Sequence, residues 1–112
     1  MSIASIETEL KSIFKDRFST STSTRFNYSR GEDTYDPVPS QAVIFPETNE
    51  EVSTILKLCN ERKIPLVPFG TGTSLEGNVV GIEEGITISL EKMNKILSVN
   101  VEDFDCRVQA NV

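Results

Sequence analysis

Histidine is absent from this chain of 112 residues, and cysteine occurs only twice, at Cys59 and Cys106. Two widely separated thiols, with no signal peptide before them, form neither a disulfide framework nor a zinc site. Both fall at apolar-phase positions, so both are expected to be buried, structural cysteines. Positive charge is also scarce: 11 Lys and Arg stand against 17 Asp and Glu, a net charge of −6. That balance excludes long-range steering of nucleic acid or of an anionic membrane. Long apolar runs are missing too, none approaching the roughly 20 residues that span a bilayer. Glu7 and Glu9 are out of place in an acid-poor transit peptide, which leaves a cytoplasmic protein as the expectation. The length allows one domain at most, with one modest core.

One further absence directs attention to a site. No Lys or Arg occurs between Ile64 and Glu91, yet this stretch holds the chain's most anion-like loop. Ile64-Pro65-Leu66-Val67-Pro68-Phe69 leads into Gly70-Thr71-Gly72-Thr73-Ser74-Leu75-Glu76-Gly77, with three glycines and three hydroxyls. Glycines after a strand end let several backbone N–H dipoles point into one concavity, a nest that suits phosphate. An anion held here would be held by dipoles and hydroxyls, with no cation nearby in sequence.

The flanking chain gives the loop a frame. Ile3, Ile6, Leu10, Ile13, Phe14 and Phe18 recur at helical spacing, an amphipathic helix capped by Ser2 or Ser5 and docked on its own domain. The Ser/Thr run at 19–23 and the stretch 25–39 lack periodicity and read as an irregular, extended arm. Within it Tyr28 and Tyr35 are expected to pack the arm against the domain rather than line a pocket. Residues 42–45 form a short apolar run ended by Pro46, a strand buried on both faces. Thr48 and Glu51 make a capping box, with Glu51 reaching back to the N-cap N–H. Val52, Ile55, Leu56 and Cys59 then keep helical spacing until Pro65 forbids continuation. With the strand at 66–69 this is a βαβ unit, whose crossover should be right-handed and whose loop leaves the C-terminal end of a parallel strand.

Beyond the loop, residues 86–90 alternate as a half-buried strand. Short strands on either side of a 100–104 hairpin connection follow, with Cys106, Val108, Ala110 and Val112 on one face. The fold class is thus α+β (α/β): N-terminal helix, extended arm, βαβ unit, then short antiparallel strands. Residues 1–24 form the helix and linker, and 25–112 the binding domain. The pattern at Val112 reads as a strand cut short, so the chain is expected to be truncated.

Two familiar phosphate templates fail. A Walker A loop needs Gly-Lys-Ser/Thr where Leu75-Glu76-Gly77 stands, and the dinucleotide fingerprint needs a third glycine where Leu75 stands. Pro68-Phe69-Gly70-Thr71-Gly72-Thr73-Ser74-Leu75-Glu76-Gly77 instead resembles the pyrophosphate loop of the FAD-linked oxidases with a vanillyl-alcohol oxidase or PCMH-type FAD domain. The similarity is greatest to the D-lactate dehydrogenase, glycolate oxidase subunit and D-2-hydroxyglutarate dehydrogenase branch. Ala42 through Val52, Ile86 through Leu97, and Val108 through Val112 carry the same resemblance in order.

The resemblance implies the first half of a PCMH-type FAD-binding domain. Pro68, Phe69, Gly70, Thr71, Gly72, Thr73, Ser74 and Gly77 would be its cofactor-binding residues, and none would be catalytic or bind metal. Some relatives link flavin through a loop histidine; the position comparable to Thr73 has none here, so FAD would be non-covalent. Glu76 should turn away from the pyrophosphate and bond to loop backbone. Asn111 stands where relatives often have glycine, and would tolerate a positive φ. The implied parent is a flavin-dependent D-2-hydroxyacid dehydrogenase, an oxidoreductase whose 2-hydroxy acid substrate meets residues outside this chain. The chain alone should be inactive, and self-association through unpaired strand edges is expected. A stand-alone binding module and a non-catalytic fragment are the alternative readings.

Overall fold

The computed structural model describes residues 3–112. Helix α1 (Ala4–Phe14) buries Ile6, Leu10 and Phe14, the stripe its spacing marks out. Its N-cap is Ile3, with no side-chain cap: Ser5 lies within the helix, and Ser2 falls outside the described residues. The Ile3 N–H instead donates to Gln41 Oε1 at 3.1 Å, so the helix start is tied to the sheet rather than capped locally. A 3₁₀ turn, Lys15–Arg17, leads into the two-residue strand β1 (Phe18–Ser19).

The arm is less irregular than its composition suggests. Thr22–Asn27 forms a short helix, α2, because Ser21 accepts the Thr24 N–H at 3.2 Å and so starts a turn that hydrophobic periodicity does not reveal. Residues 28–41 then run without regular structure into β2 (Ala42–Ile44), buried along its whole length. Helix α3 (Asn49–Arg62) begins at the expected Thr48 cap, whose hydroxyl accepts the Glu51 N–H at 3.1 Å. Glu51 reaches back one residue further than expected, accepting the Glu47 N–H at 2.8 Å. Lys63 ends the helix in a left-handed conformation.

Strands β3 (Leu66–Phe69) and β4 (Ile86–Ser89) complete a four-stranded sheet of order β1-β2-β4-β3. β4 pairs in parallel with both β2 and β3, while β1 pairs antiparallel with β2. β4 is therefore the centre of the βαβ unit, and its four residues are all buried rather than half-buried. Strands inside a parallel sheet are covered on both faces, so the polar members of its alternation need internal partners. Thr87 finds one in Ser40, Oγ1 to Oγ 2.8 Å, and Ser89 Oγ donates to Glu91.

The core joins α1, α3 and the sheet through Leu10, Phe14, Ile44, Ile55, Cys59 and Ile86. Each large apolar side chain so buried contributes roughly 1.5–3 kcal/mol. The antiparallel pair starts only at β5 (Ile96–Asn100), which joins β6 (Asp105–Val108) in a separate two-stranded sheet with every residue exposed. Cys59 is buried as expected, but Cys106 is exposed. Its apolar phase is real, but every residue of the two hairpin strands is exposed.

Candidate functional site

Phe69 ends β3, and its carbonyl accepts the Leu90 N–H at 2.9 Å, holding the ends of β3 and β4 together. The chain then leaves the sheet as loop 70–77. Gly72 and Gly77 take left-handed φ values of 76° and 77°, which an L side chain rarely adopts. Among the described residues, none of the backbone N–H groups of residues 70–77 donates to an acceptor within the chain. The loop hydroxyls are nearly as free, with a single 3.4 Å contact between Thr71 Oγ1 and Thr73 Oγ1. Unpaired donors concentrated in one loop are a site for an acceptor from outside.

These donors border a concave cavity of about 440 Å³. Residues 70–74 form one wall, residues 110–112 another, and Val79 completes it. That volume is at the lower end of ligand pockets, about 300–1,000 Å³. No titratable side chain lines it, so it can hold and orient an anion but offers no proton donor or acceptor of its own. No group of His, Cys, Asp and Glu among the described residues could hold a metal ion.

The fold separates the eight expected site residues. Gly70, Thr71, Gly72, Thr73 and Ser74 line the cavity together. Phe69 is buried beneath the loop, where it faces Gly72. Pro68 lies exposed on β3, and Gly77 sits at the far end of the loop against the Tyr35 ring. Glu76 is exposed and outside the cavity, as expected, but makes no hydrogen bond to the loop backbone. Asn111 does not use the left-handed region. Its N–H donates to Met93 O at 3.0 Å, and its Oδ1 stands 3.0 Å from a β-carbon placed on Gly70. The residue lies in the turn at 110–111 without a positive φ, and it walls the cavity.

A second cavity, of about 430 Å³, shares Thr71 and Gly72 with the first and is bordered also by Phe69 and by Ser29, Arg30 and Glu32 of the arm. Sequence reasoning missed this wall, because the arm carries no periodicity to place it. Tyr28 fixes the arm there. Its ring meets Phe45 and Phe69 edge-on, with centroids 5.4 and 5.1 Å apart, and its hydroxyl donates to Glu91. Burial, then the bond to the Glu91 carboxylate, pushes the Tyr28 phenol up to about 12. It is a packing residue at neutral pH, as the sequence suggested, and it holds its proton.

Residues 39–112 match the family described as FAD binding domain. The chain is 40% identical over 88 residues to a probable mitochondrial D-lactate dehydrogenase of Danio rerio, covering 79% of this chain and 18% of the relative. It is 35% identical over 102 residues to the glycolate oxidase subunit GlcD of Bacillus subtilis, covering 87% of this chain and 21% of the relative. Among solved structures, an alkyldihydroxyacetonephosphate synthase superposes with a TM-score of 0.83 at 19% identity, covering 95% of this chain and 23% of that one. A substrate-bound p-cresol methylhydroxylase superposes with a TM-score of 0.72 at 24% identity, covering 85% and 19%. Identities this low carry the fold alone. The chain spans about a fifth of the length of the curated relatives it matches.

Proposed function

The chain belongs to the FAD-binding domain family, alongside D-lactate dehydrogenases and glycolate oxidase subunits, and from that membership we propose that loop 70–77 holds the pyrophosphate of FAD. The observation that carries this reading is the set of unpaired backbone N–H groups beside a cavity lined by no carboxylate side chain. The cavity suits the diphosphate part of the cofactor; the rest of FAD needs surface beyond it. Gly70, Thr71, Gly72, Thr73 and Ser74 supply donors to the phosphates, Phe69 supports the loop from below, and Pro68 and Gly77 set its ends. FAD, when bound, supplies the hydride-accepting chemistry. This chain's residues bind and orient it.

The attachment is non-covalent in this reading. The chain has no histidine, Cys59 is buried in α3, Cys106 lies on the hairpin, and neither thiol lines either loop cavity. The FAD-binding portion is residues 25–112, with α1 packed as its buttress. The parent activity is oxidation of a D-2-hydroxy acid, with the substrate-contacting residues outside these 112 and the chain inactive alone. No helix of the described residues is long and apolar enough to cross a membrane. Four of the matched D-lactate dehydrogenases are mitochondrial by name, so these relatives give no support to a cytoplasmic setting. Self-association belongs to the same reading, supported by the exposed Val99, Val101 and Phe104 of the hairpin.

Titration of FAD with the purified chain, followed by quenching of flavin fluorescence, tests the site. Saturable quenching that is competed by inorganic pyrophosphate is expected. Quenching that pyrophosphate leaves untouched would remove the loop from the reading.

A further inference from the structure

We infer that the second cavity, which shares Thr71 and Gly72 with the first, is a phosphate subsite in which Arg30 supplies the cation the loop lacks. The inference rests on the proposed pyrophosphate role of the loop and goes beyond it. Thr71 and Gly72 border both cavities, so the two spaces meet at this part of the loop. A diphosphate at that junction presents oxygens to both. Only one of the two cavities offers a positive side chain. No charged side chain lines the first cavity, and Arg30 is the one Lys or Arg among the described residues lining the second.

The arm is built to bring Arg30 there. Its neighbour Gly31 lies so close to the loop that an added β-carbon would be 2.7 Å from the Ser74 carbonyl oxygen and 2.8 Å from Val79 Cγ2. The same β-carbon would lie 3.1 Å from the Gly72 carbonyl oxygen. Only a residue without a side chain permits that approach. Asp33 fixes the turn, accepting the Gly31 N–H at 3.2 Å and the Tyr35 N–H at 3.0 Å. Ser29 O accepts the N–H groups of Val38 and Gly81, each at 3.2 Å, so the arm is anchored on both sides of Arg30.

The guanidinium itself is uncommitted. Arg30 is exposed, makes no ion pair among the described residues, and donates one long bond, 3.4 Å, from Nη1 to Tyr35 O. A planar fork of donors with one weak partner is suited to phosphate oxygens. Glu32 lines the same cavity and opposes an anion there. Its removal should therefore strengthen what removal of Arg30 weakens, a pair of opposite effects that general damage to the arm would not give.

The test is a pyrophosphate titration of the full chain watched by NMR, following the Arg30 side-chain Nε–H and the amides of residues 70–74. Both sets should shift with one binding constant. Arg30→Gln should weaken binding at least tenfold, the range of a lost charge-assisted contact. Arg30→Lys should recover part of it, and Glu32→Gln should tighten binding. Gly31→Ala should weaken it also, while the β2 and β4 amides keep their positions. If the loop amides shift and Arg30 stays still, or Arg30→Gln binds like the parent, the subsite is overturned and the loop reading stands. If neither set shifts up to tens of millimolar, both fall. Shifts at Arg30 without the loop would overturn the loop reading and, with it, a subsite shared across Gly72.

Discussion

Gly72 rests on the ring of Phe69, so close that a β-carbon added to the glycine would lie 2.6 Å from Phe69 Cζ. The contact couples the last residue of β3 to the middle of the anion loop, at a backbone φ of 76°. Gly72→Ala therefore meets both a clash and left-handed strain, and Gly72→Val meets more of each. Both variants should lose FAD affinity by roughly tenfold or more, the outcome expected when donors move off a phosphate. Thermal unfolding should change by only a few degrees. The double variant Gly72→Ala with Phe69→Leu should recover part of the affinity, since the ring clash is relieved and the backbone strain remains. A double variant no better than the single one would show that the ring does not set the loop.

The Arg17–Glu51 pair ties the first strand region to helix α3 and gives the fold a pH signature. Arg17 Nη1 and Nη2 meet the two Glu51 oxygens at 2.8 and 2.6 Å, and Nη1 also donates to Phe45 O at 3.0 Å. The hydrogen bond from Arg17 pulls the Glu51 carboxyl down to about 2, well below its ordinary range. A lowered folded-state value means the pair's stabilisation is complete above the unfolded value, about 4.3, and is lost as pH falls towards 2. Urea unfolding across that window should show the slope. Glu51→Gln should flatten it and cost about 1–2 kcal/mol at neutral pH.

Inside the sheet, Ser40 and Thr87 form a buried polar pair with an oxygen separation of 2.8 Å. Thr87→Val keeps the shape but deprives Ser40 of that partner, leaving its hydroxyl the Ile82 N–H at 3.3 Å. A loss of about 1–2 kcal/mol is expected by chemical denaturation. The double variant with Ser40→Ala should cost less than the two single changes together, because the second removes the group the first left unpaired.

The two thiols should separate cleanly in a labelling experiment. Cys106 is exposed on the hairpin, whereas burial pushes the Cys59 thiol up to about 11. Reaction of the native chain with a thiol reagent at neutral pH should modify one equivalent quickly, at Cys106. Cys59 should react only on unfolding, and Cys106→Ser should remove the fast phase. A fast phase that persists in that variant would contradict the packing of α3.

Adjacent residues carry much of this protein by themselves. The Thr48 cap, the stop at Pro65, the α1 stripe and the glycine-hydroxyl loop are all legible in sequence. Each depends on propensities and hydrogen bonds formed within a few positions of the chain. The family relationship was legible for the same reason, since loop 70–77 and its flanking strands keep their order.

Tertiary structure decided what depends on distant partners. Residues 86–89 alternate like a half-buried strand, but insertion of β4 between β2 and β3 covers both faces and turns Thr87 into a core residue. Asn111 became a cavity wall through its bond to Met93, and Cys106 is exposed on a hairpin whose strand residues are all exposed. Arg30, far from the loop in sequence, shares a cavity with Thr71 and Gly72 only because the arm folds back and Gly31 permits the approach. Local pattern specifies which face of an element is apolar; only the assembled sheet specifies what that face, and each polar residue beside it, will meet.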